Sequence, residues 1–358
     1  MPQAAESAGP AREIDRPVGQ DGREKYGTEE LATVLSHYDL GVIQRMREFN
    51  RGSRKAPKLQ IDTDTGRFLL KRRARGRDDP FKVAFCHALQ LHLADKQFPL
   101  PHLIGTRRDN NSMLQWEGAI YEMFEYIPGS GYPQTLEATY DSGRVQAVYH
   151  TLLDSFSAQW EPPRGSYHEA PAVRKGLGTI AEAMRGKKDV RASCKFLADS
   201  YAEAATFVND AGLAGWADQI VHGDWHPGNM LFHEDHVVAV IDYDSARKLP
   251  RIIDTANGAL QFSILGGGDD VSKWPSHIDQ SRFKRFLRGY DAVAQLSTAE
   301  LRVIPALMIE ALIAEAVFPI AATGQFGRLE GGAFLNMVVS KIQWLQKSTD
   351  DLVAMVAD

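Results

Sequence analysis

His222-Gly223-Asp224-Trp225-His226-Pro227-Gly228-Asn229, followed by Ile241-Asp242-Tyr243-Asp244, is the stretch whose reading decides the fold of this 358-residue chain. Pro227-Gly228 punctuates the octet as a loop, and strand-like apolar runs flank it, one at Ile220-Val221 and one at Val237-Val238-Ala239-Val240-Ile241. Polar and acidic side chains thus collect where buried strands end. Between the strands, His233-Glu234-Asp235-His236 reads as a solvated hairpin turn.

Around this interruption the pattern is helical. Val145, Val148, Leu152 and Phe156 recur at helical spacing, as do Phe196, Leu197, Tyr201, Ala204 and Phe207. Toward the N-terminus the character changes at a strand, Tyr121 to Ile127, that stops at Pro128-Gly129. Before it, Val42 to Asp62 and Arg67 to Arg72 read as strands, with Asp64-Thr65-Gly66 turning the last pair into a hairpin. Thr28 to His37 reads as a helix, and Asp78-Asp79-Pro80 starts another in which Phe81, Ala84, Phe85, Ala88 and Leu91 share a face. The expectation is an α+β chain of three parts. Residues 1–30 form a flexible tail, 31–128 a small antiparallel-sheet lobe, and 129–358 a larger, mainly helical lobe.

Composition sets the outer limits. With 44% hydrophobic residues the chain has enough apolar material for two cores, while the first thirty residues have little to bury. No signal-peptide core follows the start, and the apolar run from Pro305 to Ala322 is interrupted by Glu310, Glu315 and Pro319. A cytoplasmic protein without membrane or nucleic-acid partners is expected, because the aromatics are not interleaved with basic residues. Cys86 and Cys194 have no paired spacing and read as reduced core thiols. Residues 31–128 carry 16 Lys and Arg against 11 Asp and Glu, whereas from Gly129 onward the count is 21 against 28. That suits a polyphosphate on the first part and a metal or cationic acceptor on the second.

Phosphoryl transfer needs an oriented acceptor hydroxyl, a divalent cation bridging phosphate oxygens, and positive charge over the phosphates. Asp224 and Asn229 stand at the spacing of the base and metal-binding Asn of a kinase catalytic loop. Asp242, at the end of an apolar strand, suits a hard cation such as magnesium, and Asp244 would share its side if the strand continued. A transition-metal site at His222, Asp224, His226, His233 and His236 leaves Asn229 and Asp242 idle.

The octet and Ile241-Asp242-Tyr243-Asp244 together resemble the aminoglycoside phosphotransferase and choline kinase family, which has a bilobal protein-kinase-like fold. The resemblance implies an ATP- and Mg2+-dependent small-molecule phosphotransferase, with residues 31–128 binding the nucleotide and 129–358 holding the catalytic loop and acceptor site. Asp224 would receive or orient the acceptor hydroxyl, and Asn229 and Asp242 would bind magnesium. His222 would hold the catalytic loop, His226 organise it, and Asp254 buttress it from the next helix. Lys71 resembles the third-strand lysine that contacts phosphates, and the turn at Arg51-Gly52-Ser53 takes the place of the phosphate-covering loop, with one glycine. Glu125, Tyr126 and Ile127 would meet adenine through backbone groups. The acceptor is left open among aminoglycosides, amino alcohols, homoserine and sugars.

One departure stands out. Kinases pair the strand lysine with a helix glutamate, but the helix after Pro80 has Cys86, His87 and Gln90 in that region and no acid up to Ala94. Either His87 or Gln90 supports Lys71, or a carboxylate arrives from elsewhere. The alternative to an enzyme is a nucleotide-binding pseudokinase or scaffold.

Overall fold

In the computed structural model, which describes residues 16–50 and 52–357, the chain forms two units. One ends at Pro128 and includes Ser157–Glu161; the other comprises Gly129–Phe156 and the chain from Pro162.

The first unit is built on a five-stranded antiparallel sheet. Helix α1 (Thr28–Leu35) precedes β1 (Ile43–Glu48), β2 (Lys58–Thr63) and β3 (Arg67–Arg72). Helix α2 (Pro80–Asp95) separates these from β4 (Leu114–Trp116) and β5 (Ala119–Glu125), and the strand order is β1-β2-β3-β5-β4. At the Asp64-Thr65-Gly66 turn, Thr63 N–H donates to the Gly66 carbonyl at 2.9 Å. Asp79 caps α2 by accepting from the Phe81 and Lys82 amides.

Strand β5 is buried on both faces from Ala119 to Met123. Successive side chains therefore enter different environments. Tyr121 and Met123 join Val34, Leu59, Ile61 and Leu70 in the core cluster, while Glu122 meets His87 of α2 at 2.8 Å. The buried side of α2 is not the face read from the sequence. Phe81 and Leu91 are exposed, and Val83, Phe85, Cys86, Leu89 and Leu93 are buried. The helix is apolar on more than one face, so spacing alone did not select the side that meets the sheet.

The tail expected over residues 1–30 also needs correction. Residues 1–15 lie outside the described residues, but 16–30 pack into the first unit. Val18 bridges Glu24, Glu24 N–H donates to the Arg54 carbonyl, and Tyr26 packs against the core. Arg72, fully buried, pairs with Glu30 at 2.6 Å and Glu24 at 3.0 Å, and the Tyr121 hydroxyl donates to Glu30. Arg72 and Arg73 are both buried. A guanidinium inside a small sheet must be paired, and the acids of the supposed tail pair it.

The second unit is mainly helical: α3 (Leu136–Leu153), α4 (Pro171–Ala183), α5 (Lys188–Asp210), α6 (Arg251–Ser263), α7 (Gln280–Asp291), α8 (Thr298–Thr323), α9 (Gly331–Lys347) and α10 (Thr349–Ala357). By length and composition α8 suffices to cross a membrane, but 78% of its most apolar stretch is buried by its neighbours. Helices α3 and α7 meet backbone to backbone at two glycines. A Cβ on Gly143 would lie 2.0 Å from the Phe286 carbonyl oxygen, and one on Gly289 would lie 2.0 Å from that of Tyr140. Lys341 of α9, fully buried, donates its amine to the carbonyls of Leu265, Pro275 and His277 at 2.7, 2.5 and 3.4 Å. It fastens the irregular segment between α6 and α7.

Two short antiparallel pairs interrupt the helices. β6 (Asp218–Val221) pairs with β9 (Arg247–Pro250), and β7 (Met230–His233) pairs with β8 (His236–Val240) across a tight turn. The final hairpin, β10 (Gln325–Phe326) and β11 (Leu329–Glu330), lies between α8 and α9. Strand β8 stops at Val240 and a 3-10 turn covers Tyr243–Ser245. Asp242 and Asp244 therefore do not alternate along one strand.

Candidate active site

The loop between β6 and β7 is held together by its own polar groups. Asn229 is buried, and its side-chain amide donates to Asp224 twice, to Oδ2 and to the carbonyl, each at 3.0 Å. Its backbone N–H donates to the His226 carbonyl, and His226 Nδ1 accepts the Gly228 N–H at 2.9 Å. Both amide hydrogens of Asn229 are thus turned toward Asp224, which leaves Oδ1 as the oxygen the residue can offer a cation.

Ile241 ties this loop to the acid that follows it. Its N–H donates to the Asn229 carbonyl at 2.9 Å, and its own carbonyl accepts from His222 Nε2 at 3.1 Å. The next residue, Asp242, is exposed and adopts φ 65°, ψ 67°, a left-handed conformation uncommon outside glycine. Such conformations persist where the surroundings over-determine them. Here a clamped residue precedes Asp242 and a 3-10 turn follows it.

Asp254, buried in the first turn of α6, supports the loop from behind. Its Oδ1 accepts the Gly223 N–H at 2.8 Å; its Oδ2 accepts the His222 N–H at 3.2 Å and lies 3.2 Å from His150 Nε2. Gln146 donates to the same carboxylate and to the Asp254 carbonyl. Only glycine fits at 223, where φ is +75° and a Cβ would sit 2.4 Å from the Ser245 carbonyl oxygen.

These contacts set the charges. Burial works to raise the Asp254 pKa, but the His150 contact and the Gly223 amide outweigh it and hold the carboxyl below its ordinary value. Burial lowers the pKa of His222, whose neutral ring donates Nε2–H to Ile241. Asp224 is held below its usual range because His226, 3.6 Å away, outweighs desolvation, and His226 is raised in return. Asp224 is thus an ionised, partly exposed carboxylate able to accept a proton.

In the first unit, Lys71 of β3 lies directly across from Glu122 of β5, with Nζ 3.5 Å from the carboxylate. Glu122 is fully buried and also meets Arg73 at 2.7 Å and His87 at 2.8 Å; His87 reaches Ser112 through its other nitrogen. Burial opposes the charge on Glu122, but Lys71 and Arg73 outweigh it and hold the pKa well below the carboxylate range. The partner missing from the helix therefore comes from the sheet, with His87 orienting it, while Gln90 bonds the Cys86 carbonyl of its own helix. Glu122, His150 and Gln146 escaped the sequence reading. A single acid inside the apolar run Ala119–Phe124 was the available signal for the first.

Nearby in sequence, Glu125 and Tyr126 commit their N–H groups to the His102 and Arg67 carbonyls. Gly52 has φ +80°, and Ser53 Oγ accepts the Lys55 N–H; Arg51 lies outside the described residues. In sum, Asp224, Asn229, Asp242, His222, His226 and Asp254 are brought together in the second unit, with Asp244 in the adjoining 3-10 turn. Lys71, Gly52, Ser53, Glu125 and Ile127 all lie in the first unit. His233 and His236 pair with each other at the far end of the β7–β8 hairpin, and no cluster of three or more His, Cys, Asp or Glu that could hold a metal occurs among the described residues.

Residues 46–301 match the sequence profile of the "Phosphotransferase enzyme family". Among curated proteins, the homoserine kinase of Phenylobacterium zucineum (strain HLK1) is 24% identical over 283 residues, covering 78% of this chain and 80% of that protein. Among solved structures, a microcompartment-associated aminopropanol kinase superposes with a TM-score of 0.66 at 14% identity, over 91% of this chain and 98% of that one. An amicoumacin kinase in complex with AMP-PNP and Ca2+ superposes with a TM-score of 0.64 at 12% identity, over 91% and 94%. These likenesses establish the bilobal, protein-kinase-like α+β fold.

Proposed function

The chain belongs to the phosphotransferase enzyme family, and from that premise we propose that it transfers the γ-phosphoryl group of ATP, with magnesium, to a small acceptor in the cytoplasm. It is a kinase-type phosphotransferase for small-molecule hydroxyls; the donor, the metal and the residue roles are the proposal. A homoserine kinase and an aminopropanol kinase among its likenesses favour an amine-bearing acceptor over a plain sugar. The amicoumacin kinase bound to AMP-PNP and Ca2+ supports a nucleoside triphosphate with a divalent ion.

The observation that carries the reading is the tie among Asp224, Asn229 and Ile241. Asp224 accepts the proton of the acceptor hydroxyl and aims its oxygen at the γ-phosphorus. Asn229 Oδ1 and the Asp242 carboxylate would hold magnesium. Two protein oxygens without a closed protein cage fit this ion, which keeps its waters and takes further oxygens from phosphates. When bound, magnesium would neutralise charge on the phosphate oxygens. Lys71, set by Glu122, would contact the α- and β-phosphates, with Gly52 and Ser53 covering them. The Glu125 carbonyl and Ile127 N–H would take the adenine edge. His222, His226 and Asp254 position the loop, and Asp244 stands beside it.

The pseudokinase alternative drew on the missing helix glutamate and the single-glycine turn at 51–53, and Glu122 beside Lys71 answers the first of these. The test is ATP consumption with magnesium across amino alcohols, homoserine, aminoglycosides and sugars. Acceptor-dependent turnover lost in Asp224→Ala supports the reading, and turnover retained in that variant sinks it.

A further inference from the structure

Helix α6 leads from the catalytic loop to a cavity that none of the roles above uses. Asp254 and Asn257 on this helix touch the loop, the latter through the Trp225 carbonyl at 3.5 Å. Gly258 packs so closely that a Cβ would lie 3.0 Å from the Trp225 ring. One turn on, about 6 Å along the axis, Gln261 donates to Glu315 of α8 at 2.6 Å. Both line a cavity of about 330 Å³, within the range of small-molecule sites.

The lining is otherwise apolar and aromatic. Phe326 and Phe334 stack with ring centroids 3.9 Å apart, and Trp274 meets Phe334 edge-on at 6.0 Å. Gly266 allows Trp274 to lie against the backbone, since a Cβ there would stand 2.7 Å from the ring. Among the described lining residues Glu315 is the one charged side chain and none is basic. The Lys341 amine behind this wall is turned to three carbonyls, including that of Leu265. Glu315 is itself open to solvent at the cavity, and its carboxylate feels the charges of His226 and Asp224. An acid so placed gains from a cation, and aromatic walls favour an organic one.

Resting on the phosphotransferase reading, we propose that this cavity selects the acceptor as an amino alcohol with an apolar or aromatic body and no carboxylate, its ammonium held by Glu315. An amino acid such as homoserine would bring a carboxylate beside Glu315 with no basic lining residue to receive it. In the reaction the acceptor oxygen bonds to the γ-phosphorus and the bond to the β–γ bridging oxygen breaks. ADP leaves, and the hydroxyl proton passes to Asp224.

The test compares phenylalaninol, its deaminated counterpart 3-phenylpropan-1-ol and L-homoserine with the full chain, in wild type and Glu315→Gln. Wild-type kcat/KM for phenylalaninol is expected to exceed that for homoserine at least about tenfold. Glu315→Gln should raise KM for phenylalaninol by a similar factor while leaving 3-phenylpropan-1-ol unmoved. Homoserine turned over as well as phenylalaninol, or a KM indifferent to Glu315→Gln, overturns the inference and leaves phosphotransfer standing. If no acceptor shows turnover dependent on Asp224, the phosphotransferase reading fails, and calorimetric titration of phenylalaninol decides the cavity alone. Binding weakened by Glu315→Gln upholds it; no binding overturns it.

Discussion

The two places where this protein holds the charges proposed to act on the phosphates and the acceptor solve the same problem in different ways. In the second unit, Asp254 collects backbone amides of the 222–229 loop, so a buried carboxylate sets the path of the main chain, which in turn sets Asp224. In the first, Lys71 is set by a side chain across the sheet, Glu122, which Arg73 and His87 hold in turn. The first arrangement is organised through main-chain amides gripped by a helix 31 and 32 residues on; the second depends on strand register. Damage should therefore spread differently: through loop geometry and turnover in one, through nucleotide affinity in the other.

The largest effect tests the loop's product. Asp224→Ala should lower kcat by about 10²–10⁴-fold, read as ADP release, with nucleotide affinity little changed. Next, Asp254→Ala strands the Gly223 and His222 amides and the buried His150; a stability loss of about 3–5 kcal/mol is expected in denaturant unfolding. If Asp254→Ala unfolds like wild type, the loop does not depend on this carboxylate and the contrast fails. Glu122→Gln preserves shape but removes the charge facing Lys71 and Arg73. A cost of about 1–3 kcal/mol and a raised KM for ATP are expected, with kcat less affected. A kcat collapse at unchanged KM would show that the sheet arrangement acts on chemistry rather than on nucleotide.

The smallest effect lies away from both. His168 sits 2.8 Å from the fully buried Glu310, and although burial pulls its pKa down, the Glu310 bond and charge raise it above 6.5. Because the folded value is the higher, this stabilisation is complete below pH 6.5 and fades as pH rises through the folded pKa. His168→Gln should cost about 1 kcal/mol in acid, and the Tm gap from wild type should narrow between pH 5.5 and pH 9. A constant gap would assign the effect to packing.

The same contrast explains what could be read from the residues alone. The octet at 222–229 was legible because loop chemistry is local: Pro227-Gly228 makes the turn, and Asp224 and Asn229 meet within it. Glu122 was not, since its meeting with Lys71 depends on β3 pairing with β5 across 51 positions of sequence. Composition marked Glu24 and Glu30 as solvent-loving and could not register that Arg72, 48 and 42 residues away, would be buried and need them. The face of α2 was misread because Phe81 and Leu91 are as apolar as the residues that pack, and only the tertiary partner separates them.

Lys341 grips the segment between α6 and α7 by main-chain oxygens, and a carbonyl is the same whatever side chain its residue bears. The anchorage is thus blind to identity at positions 265 and 277. A lineage could rewrite the wall around Trp274 one residue at a time while a single amine keeps the backbone in place.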